Sequence, residues 1–203
     1  MKAAKRFARR DDILDVAVDC FLAQGYAATS MAEIAARRGG SKATLYNYFK
    51  SKEVLFAAVM ERQCASLAET LFDVAHDHDN PRERLEHFAL SFLERLRTPT
   101  SRGLRRLVVG EGDRFPEIGR LFYAYGPKVV LEKIAAYLAD LMAHGVLRAA
   151  PPMIAAQQFI DLSISTALHP HFRQEVSDQP EAEDLATQVR CAVDTFLRAY
   201  RPD

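Results

Sequence analysis

Tyrosine, threonine, asparagine and lysine side chains crowd into one short stretch near the N-terminus, between Ser41 and Lys50. Within it only Leu45 and Phe49, four residues apart, have the spacing of residues that a helix buries on one face. A merely solvated helix rarely offers water such a mixture, whereas these side-chain types contact phosphates and base edges. The pattern therefore indicates a surface that reads DNA. Its outward positions are Lys42, Ala43, Thr44, Tyr46, Asn47 and Tyr48.

The residues before this stretch predict a short helix and a sharp turn. Ser30 and Glu33, three residues apart, have the spacing of a capping box, in which each side chain bonds to the other residue's backbone N–H. A helix is therefore predicted to begin at about Met31. Gly39-Gly40 supply the backbone freedom that a sharp exit from a helix needs, so this helix is predicted to end near Arg38.

Two more caps complete a helix-turn-helix pattern. Ser41 is predicted to cap the second helix, and Ser51 caps the next one, with Glu53 in its first turn where a negative charge suits the helix dipole. An earlier apolar stripe from Ile13 to Leu22, ended by Gly25, recurs at helical spacing and is predicted to pack on both helices. The arrangement is a three-helix domain that holds one helix ready to enter DNA.

This segment resembles the DNA-binding domain of TetR-type transcriptional regulators, whose signature is approximately T-x-x-x-I-A-x-x-x-G-[apolar]-S-K-[small]-[ST]-[apolar]-Y-x-[YH]-F-x-[SN]-K-E. Gly40 departs from that signature, since a small aliphatic residue usually follows the turn glycine. Glycine in place of the aliphatic residue costs roughly 0.5 to 1 kcal/mol of backbone entropy and leaves the outward surface unchanged. The matching positions are Thr29 or Ser30, Ile34, Ala35, Gly39, Ser41, Lys42, Ala43, Thr44, Leu45, Tyr46, Tyr48, Phe49, Ser51, Lys52 and Glu53.

The predicted geometry divides the polar residues between two roles. The candidates for base edges are Lys42, Ala43, Thr44 and Asn47. Among them, the alanine or the threonine methyl group is able to meet the methyl group of thymine. The candidates for phosphates are Ser30, Ser41, Tyr46, Tyr48, Lys50 and Lys52. The resemblance supports the second set, because the corresponding tyrosines and lysine commonly bind phosphate in the family.

The composition favours a globular, all-α chain. Its 203 residues, 49% of them hydrophobic, are enough to bury a core, and no run of alternating β-branched residues suggests a sheet. No apolar run is long enough to cross a bilayer, and no signal-type stretch follows the N-terminus, so we expect no membrane partner and a cytoplasmic location.

The net charge is zero, but it is unevenly distributed along the chain. Residues 1–52 hold ten lysine and arginine residues against five acidic ones, an excess of +5. Such an excess is the electrostatic footprint of phosphate binding. The residues from Lys2 to Arg10, taken alone, fit a solubilising tail equally well, but that interpretation explains Lys42, Lys50 and Lys52 less well.

The remainder of the chain is predicted to be helical without a flexible linker. A long helix from Ser51 to about Ala75 leads directly out of the first domain, and this stiff connection would let a ligand signal rotate that domain as a unit. We expect a DNA-binding domain at 1–52 and an effector-binding and dimerisation domain at 53–203, with about nine to ten helices in total. The later helices are predicted at about 81–96, 101–112, 116–125, 127–144, 151–168 and 180–200.

This second part resembles the C-terminal domain of AcrR- and AefR-like members of the TetR family. The resemblance lies in RRLVVGEGDRFPEIGRLFYAYGPKVVLEKIAAYL and the following GVLRAAPPMIAAQQF. It implies a repressor that senses a small, often apolar or amphipathic molecule and that dimerises through its last two helices. Apolar positions on more than one face of the helix at about 152–168 agree with a homodimer.

Aromatic residues concentrate in the second part, beside helix-breaking glycines and prolines. A helical core filled with aromatic side chains would explain each one singly. Breaks in a bundle would also leave gaps, and gaps lined by aromatic and a few polar groups are typical of ligand pockets. The candidate effector contacts are Phe92, Glu111, Phe115, Phe122 and Tyr123.

The other reactive residues indicate neither a metal site nor an enzyme. The histidines at 76–78 and 169–171 stand in predicted loops beside prolines, and Cys20, Cys64 and Cys191 lack metal-type spacing, so we expect solvated imidazoles and reduced thiols. No phosphate-binding glycine loop or nucleophile elbow is present. We expect no metal and no other cofactor.

The sequence as a whole predicts a transcriptional regulator, most simply a repressor that a small effector releases from a palindromic operator. Its expected partners are double-stranded DNA, the effector and a second copy of the chain. One alternative stays open: a helical small-molecule-binding or protein-interaction module of the same fold that has lost DNA binding. Gly40 is the only residue that favours this alternative.

Overall fold

The computed structural model describes residues 2–72, 80–168 and 182–202, with side chains for 10–63, 80–164 and 185–202. Every regular element in these ranges is an α-helix, which confirms the predicted all-α class. None of these helices combines the length and apolar character that a bilayer crossing requires. The helices are α1 Lys2–Ala28, α2 Met31–Arg37, α3 Lys42–Tyr48, α4 Lys52–Phe72, α5 Pro81–Arg97, α6 Pro99–Glu111, α7 Pro116–Tyr125, α8 Pro127–Ala143, α9 Pro152–Leu168 and α10 Ala182–Ala199.

Prolines mark the helix starts in the second half of the chain. Each helix from α5 to α9 begins with a proline, since the first helical position has no use for a backbone N–H and suits the fixed proline φ. The predicted start of α6 at Ser101 was two residues late, because the Thr98 hydroxyl caps the helix by accepting from the Ser101 N–H at 3.3 Å. The predicted helix limits at Ala75 and Pro180, the histidines at 76–78 and 169–171, and the Cys64 side chain lie outside the described residues.

The chain divides into two compact units. The first unit consists of Met1–Ser66 and Thr98–Pro127, and the second of Leu67–Arg97 and Lys128–Asp203. The predicted boundary between residues 52 and 53 is a division by function and stays a prediction. Compactness instead places α6 and α7 with the helix-turn-helix.

The core of the first unit confirms the predicted packing of α1. The apolar stripe from Ile13 to Phe21 shares one buried cluster with Ile34, Leu45 and Phe49. The stripe belongs to α1, Ile34 belongs to α2, and Leu45 and Phe49 belong to α3 and its C-cap. Apolar burial therefore holds these three helices together. Such burial is the main favourable term in folding.

Helices α6 and α7 contribute to this same core through Leu104, Leu107 and Ile118. The approach of α6 to α1 is close, because a Cβ atom added at Gly103 would lie 2.5 Å from a methyl carbon of Leu22. A side chain there would require the half-buried Leu22 side chain to move. Glycine at this position therefore allows the close approach of α6 to α1.

The core of the second unit joins α5, α8, α9 and α10. Phe159 of α9 lies 5.9 Å from Phe88 and 5.3 Å from Phe196, measured between ring centroids, and Tyr200 stacks on Phe196 at 4.6 Å. Arg148 closes the end of α10, since its Nε donates to the Ala199 carbonyl at 2.9 Å. The aromatic ladder and this cap hold α10 against α9.

The turn after α2 closes as a Schellman motif. Gly39 has φ of 76°, its N–H donates to the Ala36 carbonyl at 3.0 Å, and the Gly40 N–H donates to the Ala35 carbonyl at 2.9 Å. Gly40 has no positive φ, and a Cβ added there would meet only the end of the Arg38 side chain at 3.4 Å and the Ala35 carbonyl at 4.0 Å. The turn thus requires glycine at 39 and tolerates a side chain at 40.

We expect Gly40→Ala to raise the free energy of unfolding by about 0.4 to 1 kcal/mol, because alanine restricts the unfolded chain without straining the turn. Urea denaturation measures the change. Gly39→Ala is the matched control and should destabilise, since its backbone lies in the left-handed region. A destabilising Gly40→Ala would show that position 40 also depends on glycine.

Candidate DNA-binding surface

Helix α3 is held by a cap at one end and by two anchors on its inner face. The Ser41 hydroxyl accepts a hydrogen bond from the Thr44 N–H at 3.1 Å, as the sequence predicted. Leu45 and Phe49 are each only 2% exposed. With these anchors in the core, Lys42, Ala43, Tyr46 and Asn47 of α3 are exposed, whereas Tyr48 packs partly against the core.

The predicted base-edge and phosphate candidates lie along this outer face and its flanks. Half-buried positions are Thr44, Tyr48 and Lys52, and exposed positions are Ser30, Ser41, Lys42, Ala43, Tyr46, Asn47 and Lys50. Tyr46 leaves 43% of its surface exposed, although tyrosine usually hides its ring. A short helix with lysine, asparagine and tyrosine all outward has the donors and acceptors that phosphates and base edges need.

Helix α2 begins as predicted, with one difference at its cap. The Ser30 hydroxyl accepts from the Glu33 N–H at 3.2 Å. The Glu33 carboxylate, predicted to reach back to the backbone of Ser30, accepts instead from the side-chain amide of Gln24. The second half of the capping box is therefore replaced by a link to α1.

The start of α4 carries the other predicted cap. The Ser51 hydroxyl accepts from the Val54 N–H at 3.3 Å. Hydrogen bonds from the Ser51 side chain and from its own backbone, together with one from the Tyr26 hydroxyl, lower the pKa of Glu53 below its ordinary value. Glu53 therefore stays ionised at the positive end of the α4 dipole.

Lys52 binds the end of α1 beyond its kink at Gly25, where residues Gly25 to Thr29 form the turn toward α2. Its Nζ donates to the Tyr26 carbonyl at 2.7 Å and to the Thr29 carbonyl at 3.0 Å, and it lies 4.2 Å from the centroid of the Tyr26 ring. An ammonium group has three donors, so one N–H remains for a phosphate. Lys52 is thus both a candidate DNA contact and a fastener of the turn.

Glu111, predicted as an effector contact, binds the same turn. Its two carboxylate oxygens accept from the Tyr26 and Ala27 N–H groups, each at 2.8 Å. Phe115, another predicted effector contact, packs its ring against Tyr26 with centroids 5.4 Å apart. Both residues therefore lie against the helix-turn-helix within the first unit.

The remaining predicted effector contacts are distributed between the units. Phe92 belongs to the buried core of the second unit, 5.6 Å from the ring of Phe88. Phe122 is half-buried against the core of the first unit, and Tyr123 is 53% exposed. No described core cluster holds all five predicted residues together.

Ion pairs occupy part of the predicted N-terminal charge excess. Arg38 lies 3.5 Å from Asp12, and Arg10 lies 3.9 Å from Glu61. A third cation, Arg62 of α4, contacts Asp15 at 2.7 Å. These pairs fasten α1 to its neighbours at the surface, where each contributes little to stability.

Within the described ranges, no group of three His, Cys, Asp or Glu side chains is arranged to bind a metal ion. Cys20 is buried and Cys191 exposed, each as a free thiol.

Sequence reasoning missed Tyr26 and Thr29 as organising residues of this surface. Tyr26 is 1% exposed and Thr29 is also 1% exposed, with its hydroxyl donating to the Gly25 carbonyl at 2.7 Å. A signal was available: an aromatic residue directly follows the glycine that ends the apolar stripe, and a threonine directly precedes the cap Ser30. Both placements suit a buried, hydrogen-bonded turn.

Two known protein families match the two parts of this chain. The model of bacterial regulatory proteins of the tetR family matches residues 13–59, and the model of the AefR-like transcriptional repressor C-terminal domain matches residues 83–202. The chain is 35% identical over 86 residues to the HTH-type transcriptional activator FasR of Mycolicibacterium smegmatis. That match covers 42% of this chain and 39% of FasR, so the chain spans about two fifths of this curated relative.

Solved structures match over nearly the full length. The Flavonoid-responsive Regulator FrrA superimposes with a TM-score of 0.81 at 35% identity, covering 96% of this chain and 98% of that one. SmeT, the repressor of the Stenotrophomonas maltophilia multidrug efflux pump SmeDEF, superimposes with a TM-score of 0.69 at 25% identity, covering 96% of this chain and 91% of that one. Because the AefR-like model alone matches more than half of the chain and the tetR model matches the helix-turn-helix, the chain belongs to the TetR family of bacterial transcriptional regulators.

Proposed function

We propose that this chain is a homodimeric, sequence-specific DNA-binding repressor that acts in the cytoplasm on a palindromic operator. The observation that carries the proposal is α3, which buries Leu45 and rests on Phe49 while Lys42, Ala43, Tyr46 and Asn47 are exposed. A helix held this way enters the major groove with base-reading side chains foremost. The family supports the same activity.

The base-reading role falls to Lys42, Ala43, Thr44 and Asn47, and the phosphate role to Ser30, Ser41, Tyr46, Tyr48, Lys50 and Lys52. Exposure of the asparagine and of the first lysine supports the first assignment. The hydroxyls of Ser30 and Ser41 already accept from backbone N–H groups. A hydroxyl hydrogen is a possible donor for a phosphate oxygen, and the Ser41 hydroxyl also lies 2.9 Å from the Thr44 hydroxyl, where either group can be the donor.

The turn geometry argues against a related module without DNA binding. Gly40, the only residue that favoured that alternative, takes part in a complete Schellman closure of α2. Its missing side chain removes no contact on the outer face of α3. The departure from the family signature therefore affects the stability of the turn and leaves the DNA surface intact.

Release by a small apolar or amphipathic effector is the second part of the proposal. FrrA is a flavonoid-responsive regulator, and SmeT is the repressor of a multidrug efflux pump. Phe115 and Phe122, both half-buried in the first unit, leave apolar surface of the kind that such effectors bind, whereas Phe92 is 7% exposed in the core of the second unit. A coupling of about 1 to 3 kcal/mol between effector and DNA is enough to release the operator five- to about 150-fold more readily.

Dimerisation through α9 and α10 completes the proposal. On α9, Met153, Ile154 and Leu162 leave 47%, 54% and 45% of their surfaces exposed. Leu162 also lines a groove of about 480 Å³ with Tyr200 of the C-terminal segment. Ile154 and Leu162, eight residues apart, lie on one side of α9, and exposed apolar side chains on one side of a helix are typical of a face that another protein covers. A twofold dimer would present two α3 helices to the two halves of a palindrome.

Asn47→Ala should relax sequence discrimination by about 1 to 3 kcal/mol at one base pair of each half-site, because the amide pairs with a base edge. The measurement uses a duplex selected from a random-sequence library by the wild-type chain, and its single-base variants. A shuffled duplex is the control and should bind equally to both proteins. Failure of the wild-type chain to select any sequence would refute the proposed function.

Lys52→Ala should weaken binding to every duplex and lower the slope of log K against log salt by about 0.9, because one phosphate contact is lost. Binding isotherms at several salt concentrations measure the slope. Lys128→Ala, an exposed lysine of the second unit that pairs with Glu132 at 3.7 Å, is the matched control and should change nothing. An unchanged slope for Lys52→Ala would leave this lysine with the turn alone.

Leu162→Glu should convert the dimer into monomers at micromolar concentration, because it buries a charge in the proposed interface. Sedimentation velocity reports the oligomeric state. Val109→Glu is the matched control, since Val109 is 79% exposed on α6 and lies outside α9 and α10. A wild-type chain that sediments as a monomer would contradict the dimer, and a dimeric Leu162→Glu would place the interface elsewhere.

A further inference from the structure

Glu111 is the last residue of α6, yet its carboxylate serves a turn 84 to 85 positions earlier in the chain. Each oxygen accepts one backbone N–H, from Tyr26 and from Ala27, at 2.8 Å. Hydrogen bonds to an ionised carboxylate are shorter and stronger than neutral ones. The pair forms a bidentate clamp on two consecutive amides.

The turn is built to admit this carboxylate. Gly25 breaks the helical path of α1 with φ of 83° and ψ of 174°, which turns the next two N–H groups out of the helical ladder. A Cβ atom added at Gly25 would lie 2.3 Å from Oε1 of Glu111. Glycine is therefore needed twice, for its backbone conformation and for the space that the carboxylate occupies.

The carbonyl groups of the same turn are held by the opposite charge. Lys52 Nζ binds the carbonyls of Tyr26 and Thr29, so a carboxylate fixes the N–H groups and an ammonium fixes the C=O groups. The turn ends at Ser30, the N-cap of α2. Its orientation accordingly sets the direction in which α2, and α3 behind it, leave α1.

We propose that Glu111 is a positioning residue for DNA binding, which holds the Gly25 to Thr29 turn so that α2 and α3 present the DNA-reading face in one orientation. This role rests on the proposed DNA-binding function. Glu111 lies within the part of the chain that matches the AefR-like C-terminal domain. The proposed role is to orient the helix-turn-helix of the N-terminal part. Glu111 acts through the turn and touches no DNA itself.

The test compares Glu111→Ala, Glu111→Gln and the matched control Asp113→Ala, an exposed carboxylate two residues away. The probe is the duplex selected by the wild-type chain from a random-sequence library. Glu111→Ala should weaken its binding at least about tenfold, since two charge-assisted hydrogen bonds are lost. Glu111→Gln, with one acceptor oxygen left, should fall between, and Asp113→Ala should bind as the wild type does.

Two further readouts separate positioning from DNA contact and from general unfolding. The salt slope of Glu111→Ala should equal that of the wild type, because no phosphate contact is removed. Amide hydrogen exchange should accelerate at Tyr26 and Ala27 while the buried amides of α1 around Leu14 and Val18 stay protected. If Glu111→Ala does not fold, Glu111→Gln supplies the same readouts.

Wild-type affinity in a folded Glu111→Ala, or unchanged exchange at Tyr26 and Ala27, would overturn the proposal. A lowered salt slope would overturn it too, by making Glu111 part of the DNA contact itself. If the wild-type chain selects no duplex, the proposed function fails. The exchange arm then decides independently whether Glu111 holds the turn.

Discussion

Burial of the Tyr26 ring is the constraint on which the DNA-binding unit depends. The ring is 1% exposed and meets Phe21 of α1, Phe56 of α4 and Phe115 beside α7 at centroid distances of 5.8, 5.4 and 5.4 Å. Burial, reinforced by the nearby Glu53 carboxylate, raises the pKa of the Tyr26 hydroxyl far above its ordinary value, so the phenol stays neutral and donates to Glu53 at 3.3 Å. One side chain thereby joins three helices, and the backbone on either side of it must follow a fixed path.

The elements around α3 could be predicted from sequence because their determinants are local. Ser30, Ser41 and Ser51 each cap a helix that begins with the next residue, and the two glycines after α2 close it through backbone groups only three and five residues apart. Each of these interactions is contained within a few consecutive residues. Both partners of each of these bonds lie close together in the sequence. They can therefore be predicted from sequence patterns without the tertiary structure.

The effector candidates depend on distant partners, and here residue type is a weaker guide. An aromatic residue beside a helix break is equally suited to a pocket and to a core. The ring of Phe115, for example, packs on Tyr26, which lies 89 positions earlier in the sequence. Glu111 is predicted as a polar effector contact because glycines and aromatic residues surround it in the sequence, and that role stays a prediction. Its two acceptors are met by backbone N–H groups of Tyr26 and Ala27, which no local spacing encodes. Contacts of this range are fixed by the packing of α6 on α1, which Gly103 permits.

Two oppositely charged side chains, Lys52 of α4 and Glu111 of α6, hold the Gly25 to Thr29 turn. The orientation of the turn therefore depends on the positions of α4 and α6 relative to each other. Lys52 opens α4 and Glu111 closes α6, and their charged groups bind carbonyl and N–H groups that share Tyr26. A displacement of α6 against α4 must therefore either carry the backbone of Tyr26 with it or break a charge-assisted hydrogen bond. Since Ser30 begins α2 only four residues later, such a displacement reaches the recognition helix through a path of hydrogen bonds rather than through flexible chain. A turn held from both sides is thus a stiff connection, and stiffness is what a regulator needs if a change elsewhere is to alter how α3 meets DNA.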